Sequence, residues 1–448
     1  MVSEPQSPEQ SPPTSGMPAG GQGCRANGAD RLLAHPLSGL VIFVAIMLGV
    51  FYCVFILGAP LQRLVELGLQ KVGQAVVSLW PAESRSVWKS LIFDGVLGGV
   101  GAVLIFVPNV ALLFFFLAVL QESGYLARGV LLMEGVMRRL GLHGESFVPL
   151  LVGFGCSVPA IMATRSLRDR RDRLVTMLII PYMSCSAQLP IYMMVIPAFF
   201  PPLWQAPLLW LTYVGGIVMA LVMARVLRRT LLKGETHPPP AHLPPLAWPS
   251  PRVVLAQTWG QAWPYLRKVG TIILLIAVVM WALSSFPRVP EGELAALTDP
   301  AAAKQASLAH CYAGRLGQAV APVMKPLGFD WRITTALIPA FATKEAFVTQ
   351  MGIVFNLGEV HLNHRESLVR LQSELRTHYT PLAGLCVVIF ILISAPCLST
   401  IAATYRESGH WKWALVQFAG HMAVGYAVTL VIYQVGVLLG LGPQGGAG

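Results

Sequence analysis

A chain of 448 residues that is 55% hydrophobic and only 12% charged departs from soluble proteins, in which about a quarter of residues are charged. Its mean hydropathy of +0.62 excludes an ordinary soluble enzyme. The formal net charge of +11 does not indicate nucleic acid, because the charges scatter over loops between apolar stretches.

Residues 1–34 are rich in Pro, Ser and Gly and lack the apolar core of a secretory signal, so they read as a disordered tail. A first membrane half follows over 35–230. Its uncharged stretches Gly39–Gly58 and Gly95–Gln121 each supply about the 20 apolar residues that a bilayer crossing takes. Leu61–Leu79 and Gly124–Leu140 carry charges among apolar residues at helical spacing and are expected as interfacial or packing helices. The apolar run then breaks at Gly155-Cys156-Ser157-Val158-Pro159. Beyond the break stand Arg165, Arg168, Arg170, Arg171 and Arg173, opposed only by Asp169 and Asp172. The positive-inside rule puts this loop in the cytoplasm. Leu174–Ala224 has no charge and is long enough to go out and return, and its far end is basic again at Arg225, Arg228, Arg229 and Lys233.

Residues 231–262 read as a proline-rich cytoplasmic linker, densest from Pro238 to Pro251. The second membrane half covers 263–442. In it Val269–Pro287 leads outward, Ile333–Gly358 is interrupted by Lys344-Glu345 and reads as spanning or re-entrant, and Leu382–Tyr405 is a further span. Residues 443–448 form a short tail.

The two halves resemble each other. Each holds two apolar stretches broken by Gly, Pro, Ser, Thr or Cys. In the first half these are "FVPLLVGFGCSVPAIMATR" and "PYMSCSAQLPIY"; in the second, "ITTALIPAFATKEAFVTQMG" and "ISAPCLSTIAATY". Interrupted spans at matching places in two halves point to a transporter built of inverted repeats, with its site at the breaks. The fold expected is therefore an all-α polytopic membrane protein with two inverted repeats of broken or re-entrant helices.

Seven cysteines, an odd number set mostly in apolar segments, do not make a disulfide framework. Cys53 and Cys386 sit in unbroken spans and read as packing, whereas Cys156, Cys185 and Cys397 each stand at a break. Charge inside a membrane segment is costly and defaults to function, which singles out Lys344 and Glu345, with Lys344 as the counter-ion of Glu345. Glu122 and Asp94, at the ends of an uncharged stretch, are candidates for a vestibule. An intramembrane enzyme using Cys156 or Cys185 as nucleophile would need a base nearby. No histidine lies in the first-half spans, and the nearest, His143, precedes the motif.

The strings "DGVLGGVGAVLIFVPNVALLFFFLAVLQESGYLAR" (Asp94–Arg128) and "GLHGESFVPLLVGFGCSVPAIMATRSLRDRRDRL" (Gly141–Leu174), then "PYMSCSAQLPIY", "APVMKPLGFDW" and "PCLSTIAA", resemble the membrane portion of the ferrous iron transport protein B (FeoB) family. The resemblance runs in order from about His35 to the C-terminus. It implies two Gate-type repeats, a module shared with nucleoside transporters, and uptake of Fe(II) across a bacterial cytoplasmic membrane. It also implies that Cys156, Cys185 and Cys397 are metal ligands, with Ser157, Ser184, Glu345, Lys344, Glu122 and Asp94 lining the pore or gate. Fe(II) is then the transported substrate, with no cofactor bound permanently. The lipid bilayer, a separately encoded GTP-binding domain, a small SH3-like protein and further copies of the chain are the expected partners, and nucleic acid is not. Mn(II), or a nucleoside, is the alternative cargo.

The family typically begins with a cytosolic GTP-binding domain. No Gly-Lys dipeptide occurs here, so no P-loop can form, and the chain reads as the pore without enzymatic activity of its own. Gly155-Cys156-Ser157 stands where the family usually has Gly-Cys-Asn. Pro181-Tyr182-Met183-Ser184-Cys185-Ser186-Ala187-Gln188 stands where it usually has Pro-Phe-Met-Ser-Cys-Gly-Ala-Arg. Met183, Met193 and Met194 offer soft thioethers beside these positions. His361, His364 and His378, in a loop placed outside, are candidates for collecting the ion.

Overall fold

A chain that crosses lipid must satisfy its backbone N–H and C=O groups within the segment, and these apolar runs do so as helices. The computed structural model describes residues 36–78, 91, 98–233, 247–287, 310–355, 365–394 and 396–442. Five of the described helices are long and apolar enough to cross a membrane, or six if one bent pair counts as a span. The protein is an all-helical, multi-pass membrane protein. The tails 1–34 and 443–448, the proline-rich stretch 234–246, Asp94, His361 and His364 lie outside the described residues.

Helix α1 (Pro36–Ser78) is 43 residues long, roughly 65 Å at 1.5 Å per residue. It fuses the expected first span with Leu61–Leu79, which is therefore not a separate interfacial helix. Helix α2 (Gly98–Glu122) packs along α1, and Gly124 then turns the chain with φ 72°, a conformation open to glycine at little cost. Helix α3 (Tyr125–Arg139) leaves at 85° to the preceding segment, as an off-axis amphipathic helix should.

The two breaks of the first half come next. Short helices α4 (Phe147–Gly153) and α5 (Ser157–Ala163) form one broken pair. Helices α6 (Arg170–Ile179) and α7 (Leu189–Phe199) form the other. Asp169 starts α6 by accepting the Arg171 amide at 2.8 Å. Helix α8 (Pro202–Thr230) follows, so the uncharged run Leu174–Ala224 does supply two candidate crossings, Arg170–Phe199 and Pro202–Thr230.

Helix α9 (Pro251–Ser285) begins inside the stretch expected as linker to residue 262. Proline fits the first helical position because its missing N–H is unneeded there. The second half continues through α10 (Tyr312–Met324), the broken pair α11 (Trp331–Ala342) and α12 (Ala346–Val354), then α13 (Arg365–His378). Helices α14 (Pro381–Ile393) and α15 (Leu398–Ser408) make the last broken pair and α16 (Trp411–Leu438) closes the chain.

The short helices that follow the breaks pack against one another across the chain. Helix α5 rests on α15, and α12 rests on α7, so each half-helix after a break meets a half-helix of the other half. Likewise α6 packs on α8 and α14 on α16. A glycine lets each long helix approach a break. A Cβ on Gly216 of α8 would sit 2.5 Å from the Tyr182 carbonyl oxygen, and one on Gly425 of α16 would sit 3.0 Å from the Ser394 Cα. Buried apolar residues fill the space behind the breaks, among them Ile161, Val175 and Ile179 in one cluster and Phe329, Phe347 and Phe390 in another.

Candidate functional site

Each break is a place where extended residues interrupt the helical ladder. Cys156 has φ −157° and ψ 132° between α4 and α5. Met183 and Cys185 are extended between α6 and α7. Thr343 is extended between α11 and α12, and Ser394 and Cys397 between α14 and α15. Local chemistry explains the breaks: Pro159, Pro181 and Pro396 lack the N–H that a continuing ladder needs, and serines and threonines compete for backbone groups.

The carbonyls freed at these breaks are taken up by the neighbouring break. The Gly155 carbonyl accepts the Ser186 hydroxyl at 2.9 Å and the Ser186 amide at 3.3 Å. The Ile391 carbonyl, in the last turn of α14, accepts Nε2 of Gln188 at 3.0 Å and Nζ of Lys344 at 2.9 Å. All four breaks thus meet at two backbone oxygens. Last-turn carbonyls carry the negative end of the helix dipole, which suits a cation.

This arrangement brings five of the expected residues together. Cys156 lies within electrostatic reach of Cys185, Cys397 and Glu345, and Cys185 within reach of Cys397, Lys344 and Glu345. Lys344 is 7% exposed and acts on both Cys185 and Cys397. Among the described residues, no group of three or more His, Cys, Asp or Glu is placed to hold a metal ion. The Cys397 thiol lies 3.0 Å from the Thr400 hydroxyl, one turn into α15. Ser157 is buried at the start of α5, and Ser184 is fully buried with its hydroxyl 3.5 Å from that of Tyr192.

The structure places the other expected residues as follows. Lys344 forms no ion pair with Glu345: its ammonium donates to the Ile391 carbonyl. Glu122 ends α2 at the 85° bend and is not among the charges acting on the thiols. Met183 and Met194 are buried in the apolar clusters, while Met193 is half exposed. His378 ends α13, with Nδ1 2.9 Å from the Glu374 carbonyl oxygen.

Other residues at the site escaped the sequence reading. His421, 3% exposed on α16, stacks on Tyr182 with ring centroids 4.1 Å apart and places Nδ1 2.7 Å from the Gln417 carbonyl oxygen. It also lies within electrostatic reach of Lys344. A histidine in an uncharged span was the available signal. On the basic-loop side, Glu407 near the end of α15 receives Arg165 Nε at 2.7 Å and Arg173 at 3.0 Å. The bond from Glu407 raises the Arg165 pKa above its already high ordinary value. Beside it, buried Asp172 pairs with both Arg228 and His143.

The Gate family model, described as "Nucleoside recognition", matches residues 103–199 and 266–411. The model of the "Ferrous iron transport protein B C terminus" matches residues 209–261, and no GTP-binding domain is matched in this chain. The chain is 37% identical over 91% of its length to a Porphyromonas gingivalis Fe(2+) transport protein A/Fe(2+) transporter FeoB fusion protein, covering 51% of that protein. It is 34% identical to the Fe(2+) transporter FeoB of Campylobacter jejuni, over 92% of this chain and 65% of that one. For Staphylococcus aureus (strain COL) FeoB the identity is 35%, over 91% and 59%. The chain therefore spans half to two thirds of the length of these curated relatives. No solved structure matches it.

Proposed function

Because the chain belongs to the Gate family, as the membrane portion of a FeoB-type protein, we propose that it is the permease for Fe(II) uptake across a bacterial cytoplasmic membrane. What supports this reading is that Cys156, Cys185 and Cys397 each stand at a helix break, with Glu345 at the remaining break and within electrostatic reach of Cys156 and Cys185. Fe(II) is a borderline ion that accepts thiolate and carboxylate ligands. Transport needs sites strong enough to strip water from the ion and weak enough to pass it on. Thiols on three different broken helices fit a hand-over from ligand to ligand better than a closed cage.

The two halves are inverted repeats in this reading, supported by the exchange of contacts between α5 with α15 and α7 with α12. Pore and gate are lined by Ser157, Ser184, Lys344 and Glu345, with Asp94 and Glu122 toward the vestibules. The ion is cargo and not a resident cofactor. A GTP-binding domain outside these residues and a small SH3-like protein act on the basic-loop side, and copies of the chain associate.

Purified protein in proteoliposomes, under anaerobic reducing conditions, is expected to take up Fe(II) in competition with Mn(II). If it moves labelled nucleoside and no divalent ion, the Gate-type nucleoside carrier replaces this reading. If it moves neither, with or without an added GTP-binding domain, the permease reading fails.

A further inference from the structure

Lys344 occupies an unusual position for an ammonium group. It is 7% exposed, stands at the break between α11 and α12, and donates at 2.9 Å to the Ile391 carbonyl in the last turn of α14. An unpaired cation in a membrane interior costs several kcal/mol, so its surroundings must compensate it. Among the described residues no carboxylate forms an ion pair with it. Beside it are a backbone oxygen at the negative end of a helix and the side-chain amide of Gln188 on that same oxygen, with Cys185, Cys397 and His421 within electrostatic reach.

Carbonyl oxygen and thiol sulfur are also the groups that a borderline divalent cation would seek at these breaks. Building on the permease reading, we infer that Lys344 is a tethered resident cation, which compensates the empty site and is displaced when the divalent ion arrives. The ion and the ammonium compete for Ile391, Cys185 and Cys397, and like charges cannot share them. The competition weakens ion binding and returns the ammonium to its carbonyl as the ion leaves. Release is thereby built into the site, which is the property that a transport site needs and a storage site does not. Glu345, the next residue, lies within electrostatic reach of Cys156 and Cys185, so one turn presents an attracting and a competing charge side by side.

The test uses full-length protein in nanodiscs, titrated anaerobically with Co(II), whose thiolate bonds absorb in the near ultraviolet, alongside Fe(II) uptake into liposomes. Lys344→Gln keeps a donor for Ile391 but removes the charge. It is expected to bind Co(II) about tenfold more tightly, to lower KM for Fe(II), and to lower kcat because release slows. Lys344→Arg is expected to remain near wild type in affinity. Lys344→Met serves as the neutral variant if the glutamine protein does not fold. Unchanged or weaker Co(II) binding in a folded neutral variant, beside a wild type that binds, overturns this inference alone. A wild type that neither binds Co(II) nor moves Fe(II) overturns the permease reading and this inference together.

Discussion

The Gly155 carbonyl accepts two hydrogen bonds from Ser186, one from its hydroxyl at 2.9 Å and one from its amide at 3.3 Å. Gly155 precedes Cys156 and Ser186 follows Cys185, so this contact fixes the spacing of two thiol-bearing breaks. Ser186→Ala removes the side-chain bond and leaves the amide bond. The expected cost is about 1 kcal/mol, with a lower melting temperature in detergent and slower initial Fe(II) uptake. Identical melting and uptake would show that the backbone alone holds the breaks in register.

The three thiols should not be equivalent to the others in the chain. Cys156→Ser, Cys185→Ser and Cys397→Ser are each expected to lower Fe(II) uptake about tenfold, equivalent to ~1.4 kcal/mol at the site. Cys386 is buried among apolar residues of α14, and Cys386→Ala is expected to leave uptake per folded molecule unchanged. Uptake at wild-type rate in all three break variants returns those cysteines to packing residues.

Glu345 and Glu122 offer a second contrast. The Glu345 carboxylate acts on Cys156 and Cys185, so Glu345→Gln is expected to raise KM for Fe(II) severalfold. Glu122 stands at the bend between α2 and α3, and Glu122→Gln is expected to change KM less than twofold. Proteoliposome kinetics on both variants decide the matter, and a larger effect at Glu122 would move the ion path toward that bend.

Gly216 and Gly425 are predicted to be intolerant of even one methyl group. A Cβ at 216 meets the Tyr182 carbonyl oxygen at 2.5 Å, and a Cβ at 425 meets Ser394 backbone at 3.0 Å. Backbone cannot swing aside as a side chain can, so Gly216→Ala and Gly425→Ala should each destabilise by about 1–3 kcal/mol. Thermal melting in detergent measures this directly. Gly420, on α16 with open space beside it, is the control: Gly420→Ala should melt no lower than wild type.

Much of this architecture was legible in the sequence because membrane helices advertise where they stop. Glycine, proline, serine and threonine inside apolar runs marked all four breaks, and arginine density marked the loop between two of them. What could not be read was the pairing of distant segments. Lys344 and Glu345 are adjacent in sequence and of opposite charge, which suggested an ion pair. In the fold the lysine turns instead to a carbonyl 47 residues away. His421 carried no signal beyond being a histidine in an apolar helix, and only packing sets it on Tyr182. Leu61–Leu79 looked interfacial because charges at helical spacing are compatible with either a surface helix or the continuation of a span. Only the unbroken backbone of α1 distinguishes the two.

Helix α15 begins at Cys397 and carries Glu407 near its other end, where Arg165 and Arg173 hold it. The arginines that the positive-inside rule puts in the cytoplasm therefore also grip one end of a short rod whose other end carries the Cys397 thiol. Counting positive charges cannot separate these two duties, but exchanging partners can. Arg173→Glu with Glu407→Arg keeps the total charge, and the two changes together should recover part of what either loses alone, with a coupling of roughly 0.5–3 kcal/mol. Anything that draws those arginines away from Glu407, at the membrane surface, pulls on the site from the far end of a lever.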